Sequence, residues 1–198
     1  MAYWMTVYSR TDEVMQVETI RDFLDGDEVV VEANGEGAGW SEITLRHPDD
    51  GPAITVIRLR VGELAAGYAA EAIENLAEAQ PSVNAEWVID FLRGVKTVYS
   101  FQILSGTGFG HGWECVRGLQ AELREVFDGI MHAESEGFCD PEGYHLTWEF
   151  SRRVSGEWWM ALYDPRTGNF RRFAIELGDA EHRKAFRAGR VPDGVKVR

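Results

Sequence analysis

The segment MHAESEGFCDPEGYHLTWEF, residues 131–150, predicts a β-hairpin. Its centre, Asp140-Pro141-Glu142-Gly143, places Asp, Pro and Gly at the first, second and fourth positions that a type I turn favours. Strands are predicted on either side of this turn, over residues 131–139 and 144–150. Strands joined by so short a turn pair antiparallel, because a parallel connection needs a dozen residues or more.

One face of the predicted hairpin is polar. Pairing about the turn sets Phe138 opposite His145, Glu136 opposite Thr147 and Glu134 opposite Glu149. Because side chains alternate along a strand, the polar face carries His132, Glu134, Glu136, His145, Thr147 and Glu149. The other face is expected to point to the core, and it carries Ala133, Cys139, Tyr144, Leu146, Trp148 and Phe150.

This polar face supplies the candidate catalytic and metal-binding residues. Opposed carboxylates such as Glu134 and Glu149 repel each other, so a divalent cation, a shared proton or nearby arginines should neutralise them. With His132 or His145 beside them, they suit Mg²⁺, Mn²⁺ or Zn²⁺ and could act as general acid and base. His-x-Glu-x-Glu is not a recognised ligand spacing, and most such faces are solvated surfaces with ion pairs. The arginines available for such pairs are Arg152, Arg153, Arg171 and Arg172.

The rest of the chain predicts alternating groups of strands and helices. Alternation and β-branched runs indicate strands over residues 3–8, 28–33, 40–47, 53–61, 97–104, 157–163 and 169–177. Helical spacing and capping residues indicate helices over residues 14–24, 62–80, 87–92, 113–129 and 180–188. Asp25 ends the first helix, and Pro48-Asp49-Asp50-Gly51 is a turn between strands.

Helices that are segregated from antiparallel strands predict an α+β fold with helices packed on a mainly antiparallel sheet. A ferredoxin-like plait is predicted for at least the N-terminal half, residues 1–105. Residues 1–198 are expected to form one compact domain, and a division into two lobes, 1–105 and 106–198, is the alternative.

A glycine-rich loop, Gly106-Thr107-Gly108-Phe109-Gly110-His111-Gly112, joins a predicted strand to a predicted helix, where phosphate-binding loops are found. It does not match the dinucleotide fingerprint, since His111 or Trp113 stands where the third glycine is needed. No Gly-Lys-Ser/Thr follows it, as a P-loop requires. Gly106, Gly108, Gly110 and His111 are therefore candidate ligand-binding residues, and a mobile structural connector is the alternative.

His111 and Cys115 lie four residues apart at the start of a predicted helix, where the helix dipole lowers the pKa of a thiol. A nucleophilic Cys-His pair is one interpretation of this spacing. However, Cys115 borders the apolar stripe Val116, Leu119 and Leu123, and no third residue that would orient the pair is identifiable. A small buried hydrophobic residue is the favoured interpretation of Cys115.

The charge of the chain is strongly acidic and unevenly distributed. The net charge is −13, residues 1–151 hold 9 Lys and Arg against 27 Asp and Glu, and residues 152–198 hold 11 against 6. Phosphate binding draws on clustered basic residues, so no nucleic-acid partner is predicted. The basic segment is expected to fold back on the acidic body or to reach a partner. No secretory leader or membrane-spanning run is apparent, which predicts a cytoplasmic protein without a membrane partner.

The sequence leaves three function classes open. The first is a non-enzymatic interaction or regulatory protein whose acidic surface binds a basic protein, as an inhibitor or immunity protein does. The second is a small-molecule-binding protein or metal-dependent enzyme that uses the hairpin carboxylates, with the glycine-rich loop as lid or anion site. The third is a structural subunit of a homo-oligomer that is closed by the basic C-terminal segment. No cofactor is predicted.

Overall fold

The computed structural model describes residues 3–24, 26, 29–49, 51–151 and 153–198. Within these residues the chain forms nine strands and five α-helices. The strands are β1 (Tyr3–Ser9), β2 (Val30–Ala33), β3 (Glu42–Arg46), β4 (Ala53–Val61), β5 (Thr97–Ile103), β6 (Ile130–Ala133), β7 (Gly137–Cys139), β8 (Glu157–Asp164) and β9 (Asn169–Glu176). The helices are α1 (Val17–Phe23), α2 (Glu63–Asn75), α3 (Ser82–Arg93), α4 (Gly112–Val126) and α5 (Ala180–Arg187), and Ser105–Gly108 is a short 3₁₀ helix.

Seven strands form one sheet in the order β2-β3-β4-β5-β1-β6-β7, and all neighbouring pairs are antiparallel. β8 and β9 form a separate antiparallel hairpin. The predicted α+β class with a mainly antiparallel sheet is therefore confirmed. The ferredoxin-like plait is not confirmed, because the seven-strand order is not that of a simple plait.

Alternation along β1 divides the interior between the two faces of the sheet. Met5 and Val7 belong to a core that α1 and α4 cover, so we call this the α4 face. Tyr8 belongs to a second core with residues of α2 and α3, so we call the opposite side the α2 face. The α4 stripe of Val116, Leu119 and Leu123 is buried, in agreement with its helical spacing.

The basic C-terminal segment folds against the body of the protein. β8, β9 and α5 enclose a third core around Phe173 and Phe186, to which Phe150 also contributes. Arg187 Nε donates a hydrogen bond of 2.8 Å to Gln80 Oε1, and the Arg198 guanidinium lies 4.1 Å from the centre of the Trp159 ring. None of the helices within the described residues is long and apolar enough to cross a membrane.

The segment 131–150 differs from the single hairpin that its sequence predicts. β6 turns back after Ala133 to pair with β7, so residues 131–139 are a short hairpin rather than one strand. The turn at Asp140 is present, with a hydrogen bond of 2.9 Å from Gly143 N to Asp140 O. Residues 144–150 are not a strand. They join the sheets through bridges of His145 to Cys139 and to Met160, and through backbone hydrogen bonds such as that of 2.6 Å from Leu146 N to Phe138 O.

The physical reason for this difference is the close approach of Gly137 to Thr147. Gly137 has a φ of 105°, and a side chain there would place Cβ 2.7 Å from Thr147 O, so the chain turns where only glycine fits. The Thr147 hydroxyl accepts a hydrogen bond of 2.8 Å from Phe138 N and thus replaces a ladder bond between strands. As a result Cys139, not Phe138, lies opposite His145.

Four sequence predictions fall outside the described residues. They concern Asp25 as the end of the first helix, Glu28 as the start of a strand, Asp50 within a turn, and Arg152 as a counter-charge for the hairpin carboxylates.

Candidate functional site

Two clefts flank the β6–β7 hairpin, one on each face of the sheet. The first, on the α2 face, has a volume of about 660 Å³, and we call it the acidic pocket. Its floor is formed by strand residues and its walls by α2, the residues that follow α2, and the segment 148–149. The residues of the floor are Trp4, Thr6, Tyr8, His132 and Phe138, and those of the walls include Tyr68, Glu71, Glu78, Trp148 and Glu149.

Three of the predicted site residues come together in the acidic pocket. His132, Glu134 and Glu149 all line it. His132 Nε2 lies 3.0 Å from both carboxylate oxygens of Glu149, and Glu134 accepts a hydrogen bond of 3.3 Å from Trp4 N. An imidazole is therefore the close partner of Glu149.

Of the arginines considered as partners for the hairpin carboxylates, Arg172 has a different role. Its guanidinium pairs with Asp140 at 2.9 Å and with Glu142 at 2.8 Å, at the turn that precedes residue 144. Asp140 is fully buried, and burial raises the pKa of its carboxyl although the Tyr144 backbone amide and Arg172 oppose the shift. This ion pair joins β9 to the turn.

The remaining members of the predicted polar face do not share the acidic pocket. Glu136 and His145 line the cleft on the α4 face, and Thr147 is fully buried. A register shift of one residue moves a side chain to the opposite face of a sheet, and His145 opposite Cys139 shows this shift. The predicted single face is thus divided between the two sides of the sheet.

Aromatic rings line the acidic pocket beside its carboxylates. An arginine of the same chain lies over each of two of these rings. The Arg60 guanidinium is 4.3 Å from the centre of the Tyr68 ring, and the Arg58 guanidinium is 5.6 Å from the centre of the Trp4 ring. Burial raises the pKa of Tyr8, and the neighbouring Tyr68 and Glu71 raise it further. Tyr8 is therefore a neutral phenol, and it adds no negative charge to the pocket.

The second cleft, on the α4 face, has a volume of about 740 Å³, and we call it the arginine cleft. Arg117 and Arg124 of α4 line it together with Tyr3 of β1 and Glu136. The Tyr3 hydroxyl donates a hydrogen bond of 3.0 Å to Glu136. Burial raises the pKa of Glu136, while the Tyr3 hydroxyl and the charge of Arg117 act against this shift.

A cysteine and a histidine do meet in the arginine cleft, but they are not the pair suggested by sequence spacing. Cys139 Sγ lies 3.3 Å from His145 Nδ1. Burial raises the pKa of the Cys139 thiol, and burial together with the charge of Arg124 lowers the pKa of His145 to about 4. Both groups are neutral at physiological pH, and a neutral thiol is a poor nucleophile.

The other predicted features lie in the loop before α4 and in the first turn of that helix. Cys115 is buried in the core, whereas His111 is exposed. Gly106 is buried against Ala53, and His47 Nε2 lies 2.9 Å from Gly106 O. Gly108 and Gly110 are exposed. Close packing accounts for Gly106, and a ligand role for Gly106, Gly108, Gly110 and His111 stays a prediction.

Sequence reasoning missed the aromatic rings of the acidic pocket and both arginines of the cleft. The arginines did carry a signal, because Trp113, Arg117, Gln120 and Arg124 follow one side of α4 at spacings of three and four residues. Alternation places Trp4 and Tyr8 on one face of β1, and helical spacing places Tyr68 on one side of α2. Neither pattern reveals that β1 and α2 are neighbours in the fold.

In the part of the chain that the structure describes, no three His, Cys, Asp or Glu side chains are arranged to hold a metal ion. Comparison of the chain with protein-family models, curated proteins and solved structures finds no significant match.

Proposed function

We propose that this chain is a non-enzymatic interaction protein of the cytoplasm whose acidic pocket binds a cationic side chain of a basic protein partner. In this role it acts as a regulator or inhibitor of that partner. The observation that supports the proposal is the combination, in one pocket, of several carboxylates with aromatic walls.

The charges of the pocket favour a cation. Glu71, Glu78 and Glu149 are exposed, so a group from solution can reach them, and Glu134 is half-buried. The Arg60 and Arg58 guanidinium groups over the Tyr68 and Trp4 rings offset part of this charge, and the four carboxylates outnumber them. Carboxylates hold guanidinium groups through short, charge-assisted hydrogen bonds, often two at a time.

The aromatic walls favour a cation that has an apolar stem. A guanidinium or ammonium group over an aromatic face gains about 0.5–2 kcal/mol, depending on how far it is desolvated. Arg60 over Tyr68 shows this contact within the chain itself. The methylene stem of Arg or Lys can pack against Trp4, Phe138 and Trp148, which all line the pocket.

The charge of the whole molecule favours a protein over a small cation. The chain carries a net charge of −13, which attracts a basic surface before contact and increases the rate of association. A small organic cation is the second candidate, because a volume of about 660 Å³ is in the usual range for small-molecule pockets.

The proposal can be tested with a fluorescein-labelled hexa-arginine peptide, whose binding is followed by fluorescence anisotropy. We expect binding at low salt, and we expect the double variant Glu134→Gln/Glu149→Gln to weaken it by about tenfold because charge-assisted contacts are lost. Agmatine, a small guanidinium compound, serves as competitor. Strong competition by agmatine would favour the second candidate.

The matched control is Glu86→Gln/Glu125→Gln, which removes the same amount of charge from exposed positions on α3 and α4, away from the pocket. This control should change the affinity by less than about twofold, because a surface charge outside the site acts only through screened, long-range attraction. Equal losses in the two double variants would show that the peptide responds to net charge alone, and the proposed pocket would be wrong.

A further inference from the structure

The arginine cleft carries positive charge that the protein leaves without a close carboxylate. Arg124 Nε donates to Gln120 O at 3.4 Å and its Nη1 donates to Asp140 O at 3.3 Å, and both acceptors are backbone carbonyls. The Asp140 carboxylate pairs with Arg172 instead. Among the described residues, neither Arg117 nor Arg124 has a carboxylate oxygen within 4.0 Å.

A buried amide in the same cleft has only a weak hydrogen-bond acceptor. Gln120 is 2% exposed, and its Nε2 donates to the Met5 sulfur at 3.3 Å. A thioether sulfur is a weak acceptor, so a carboxylate oxygen would be a better partner for this donor. Gln120 lies between Arg117 and Arg124 on one side of α4, so the three donors are neighbours.

Large apolar side chains form part of the remaining walls of the cleft. Trp113 at the start of α4 is 38% exposed, Trp158 comes from β8, and Met5 and Met131 come from adjacent strands of the sheet. An inorganic anion would leave these surfaces uncovered. A ligand with a flat apolar body can pack against a tryptophan ring while its charged end reaches the arginines.

We propose that the arginine cleft binds a small organic carboxylate with an aromatic body. Arg117, Arg124 and Gln120 hold the carboxylate, and Trp113 and Trp158 contact the ring. A volume of about 740 Å³ accommodates a ligand of this class. This site lies on the face of the sheet opposite the acidic pocket, so it does not depend on the function proposed for that pocket.

Glu136 allows a second test, in which the expected change in affinity is opposite to that for Arg117. Its carboxyl lines the same cleft and is held by the Tyr3 hydroxyl at 3.0 Å. A negative charge at this position opposes an anionic ligand. Its replacement by glutamine, which keeps the shape of the side chain, should therefore strengthen binding, whereas loss of Arg117 should weaken it.

The test uses naphthalene-2-carboxylate and its neutral analogue naphthalene-2-carboxamide as probes in isothermal titration calorimetry of the full chain. We expect the carboxylate to bind about tenfold more tightly than the amide, since charge-assisted hydrogen bonds are about twice as strong as neutral ones. Arg117→Gln should weaken carboxylate binding by about tenfold and leave amide binding unchanged. Glu136→Gln should strengthen carboxylate binding by about threefold.

The matched control is Arg93→Gln, which removes an exposed arginine from α3 and should leave both affinities unchanged. Arg117 is itself exposed, so its replacement leaves the core intact, and circular dichroism of each variant checks the fold. The proposal is overturned by equal affinities for the two probes, by equal effects of Arg117→Gln and Arg93→Gln, or by an absence of carboxylate binding.

Discussion

Asn84 joins three parts of the molecule through one buried side chain. Its Nδ2 donates to Leu146 O at 2.6 Å and to Ala161 O at 2.7 Å, and its Oδ1 accepts from Tyr163 N at 2.8 Å. The asparagine belongs to α3, Leu146 to the segment after the Asp140 turn, and the other two residues to β8. Both N–H groups and the oxygen of this fully buried amide bind backbone groups, so this contact positions the C-terminal hairpin against the body.

Replacement of Asn84 by alanine should lower the free energy of unfolding by roughly 3 kcal/mol, because three backbone groups lose their partner in a buried site. Urea denaturation followed by circular dichroism measures this change. Glu86→Ala, at an exposed position of the same helix, is the control and should change stability by less than about 0.5 kcal/mol. A loss no larger than that of the control would contradict the role of Asn84.

His145 should make stability depend on pH. Its pKa is lowered by burial, and then by Arg124, from 6.5 to about 4 in the folded protein. The unfolded chain therefore binds the proton first as pH falls, so the contribution of His145 is complete above pH 6.5 and is lost as pH falls toward about 4. The loss amounts to about 3 kcal/mol, since one pKa unit corresponds to about 1.4 kcal/mol.

The measurement is the free energy of unfolding as a function of pH for the wild type and for His145→Asn. The wild type should lose more stability than the variant between pH 6.5 and about 4, and the difference between the two curves isolates this residue from other titrating groups. His111→Asn, at an exposed position, controls for the loss of an imidazole. Parallel curves for the wild type and His145→Asn would refute the prediction.

At the scale of elements, two glycines at the start of α4 and in the loop before it allow backbone segments to pack in close contact. A Cβ at Gly106 would collide with the carbonyl oxygen of Ala53 in β4, and one at Gly112 would lie 2.7 Å from Gly106 O. The 3₁₀ helix thus packs directly on the backbone of β4, which places the start of α4 against the sheet. Gly108 has nothing within 4 Å of its Cβ position.

The variants Gly106→Ala and Gly108→Ala should therefore differ sharply in stability. Gly106→Ala should cost at least about 2 kcal/mol, because backbone atoms must move to admit the methyl group. Gly108→Ala should be neutral or stabilising by about 0.5 kcal/mol, since it only reduces the freedom of the unfolded chain. Thermal unfolding of the two variants side by side tests this, and similar melting temperatures would show that Gly106 does not pack as described.

At the scale of the whole molecule, β1 links the two halves of the chain. Along one edge it pairs with β5, from Tyr3 opposite Ile103 to Ser9 opposite Thr97, and along the other it pairs with β6, from Met5 opposite Ala133 to Tyr8 opposite Ile130. Residues before and after 105 therefore share one sheet. A homo-oligomer formed through the basic C-terminal segment stays a prediction, while Phe186 of that segment is fully buried within the chain's own third core.

We expect the chain to unfold in a single cooperative transition, because separation of the halves would leave β1 without β6 and open both cores of the sheet. Urea curves followed by circular dichroism and by tryptophan fluorescence should coincide. The fragments 1–105 and 106–198 should not fold alone, which hydrogen exchange of each purified fragment can show. Separate transitions, or a protected fragment, would instead support two independent lobes.

Much of the fold could be predicted because it depends on neighbours along the chain. Periods of two and of about 3.6 residues reveal strands and helices, and the Asp-Pro-Glu-Gly turn depends on the conformational preferences of four adjacent residues. These signals were sufficient for the α+β class, for the helical stripe of α4 and for the β8–β9 hairpin. The predicted hairpin also placed His132, Glu134 and Glu149 together, and these residues do line one pocket although residues 144–150 are not a strand.

Contacts between distant residues were decided only in the folded molecule. The order of the seven strands depends on which edges meet during packing, and alternation within a strand does not specify its neighbours. His145 changed face because Gly137 and Thr147 shift the register by one residue, a steric effect of two segments ten residues apart in sequence. The two clefts likewise exist only where α2 and α4 lie over the sheet, since packing alone brings Glu71 to Glu149 and Arg117 to Glu136.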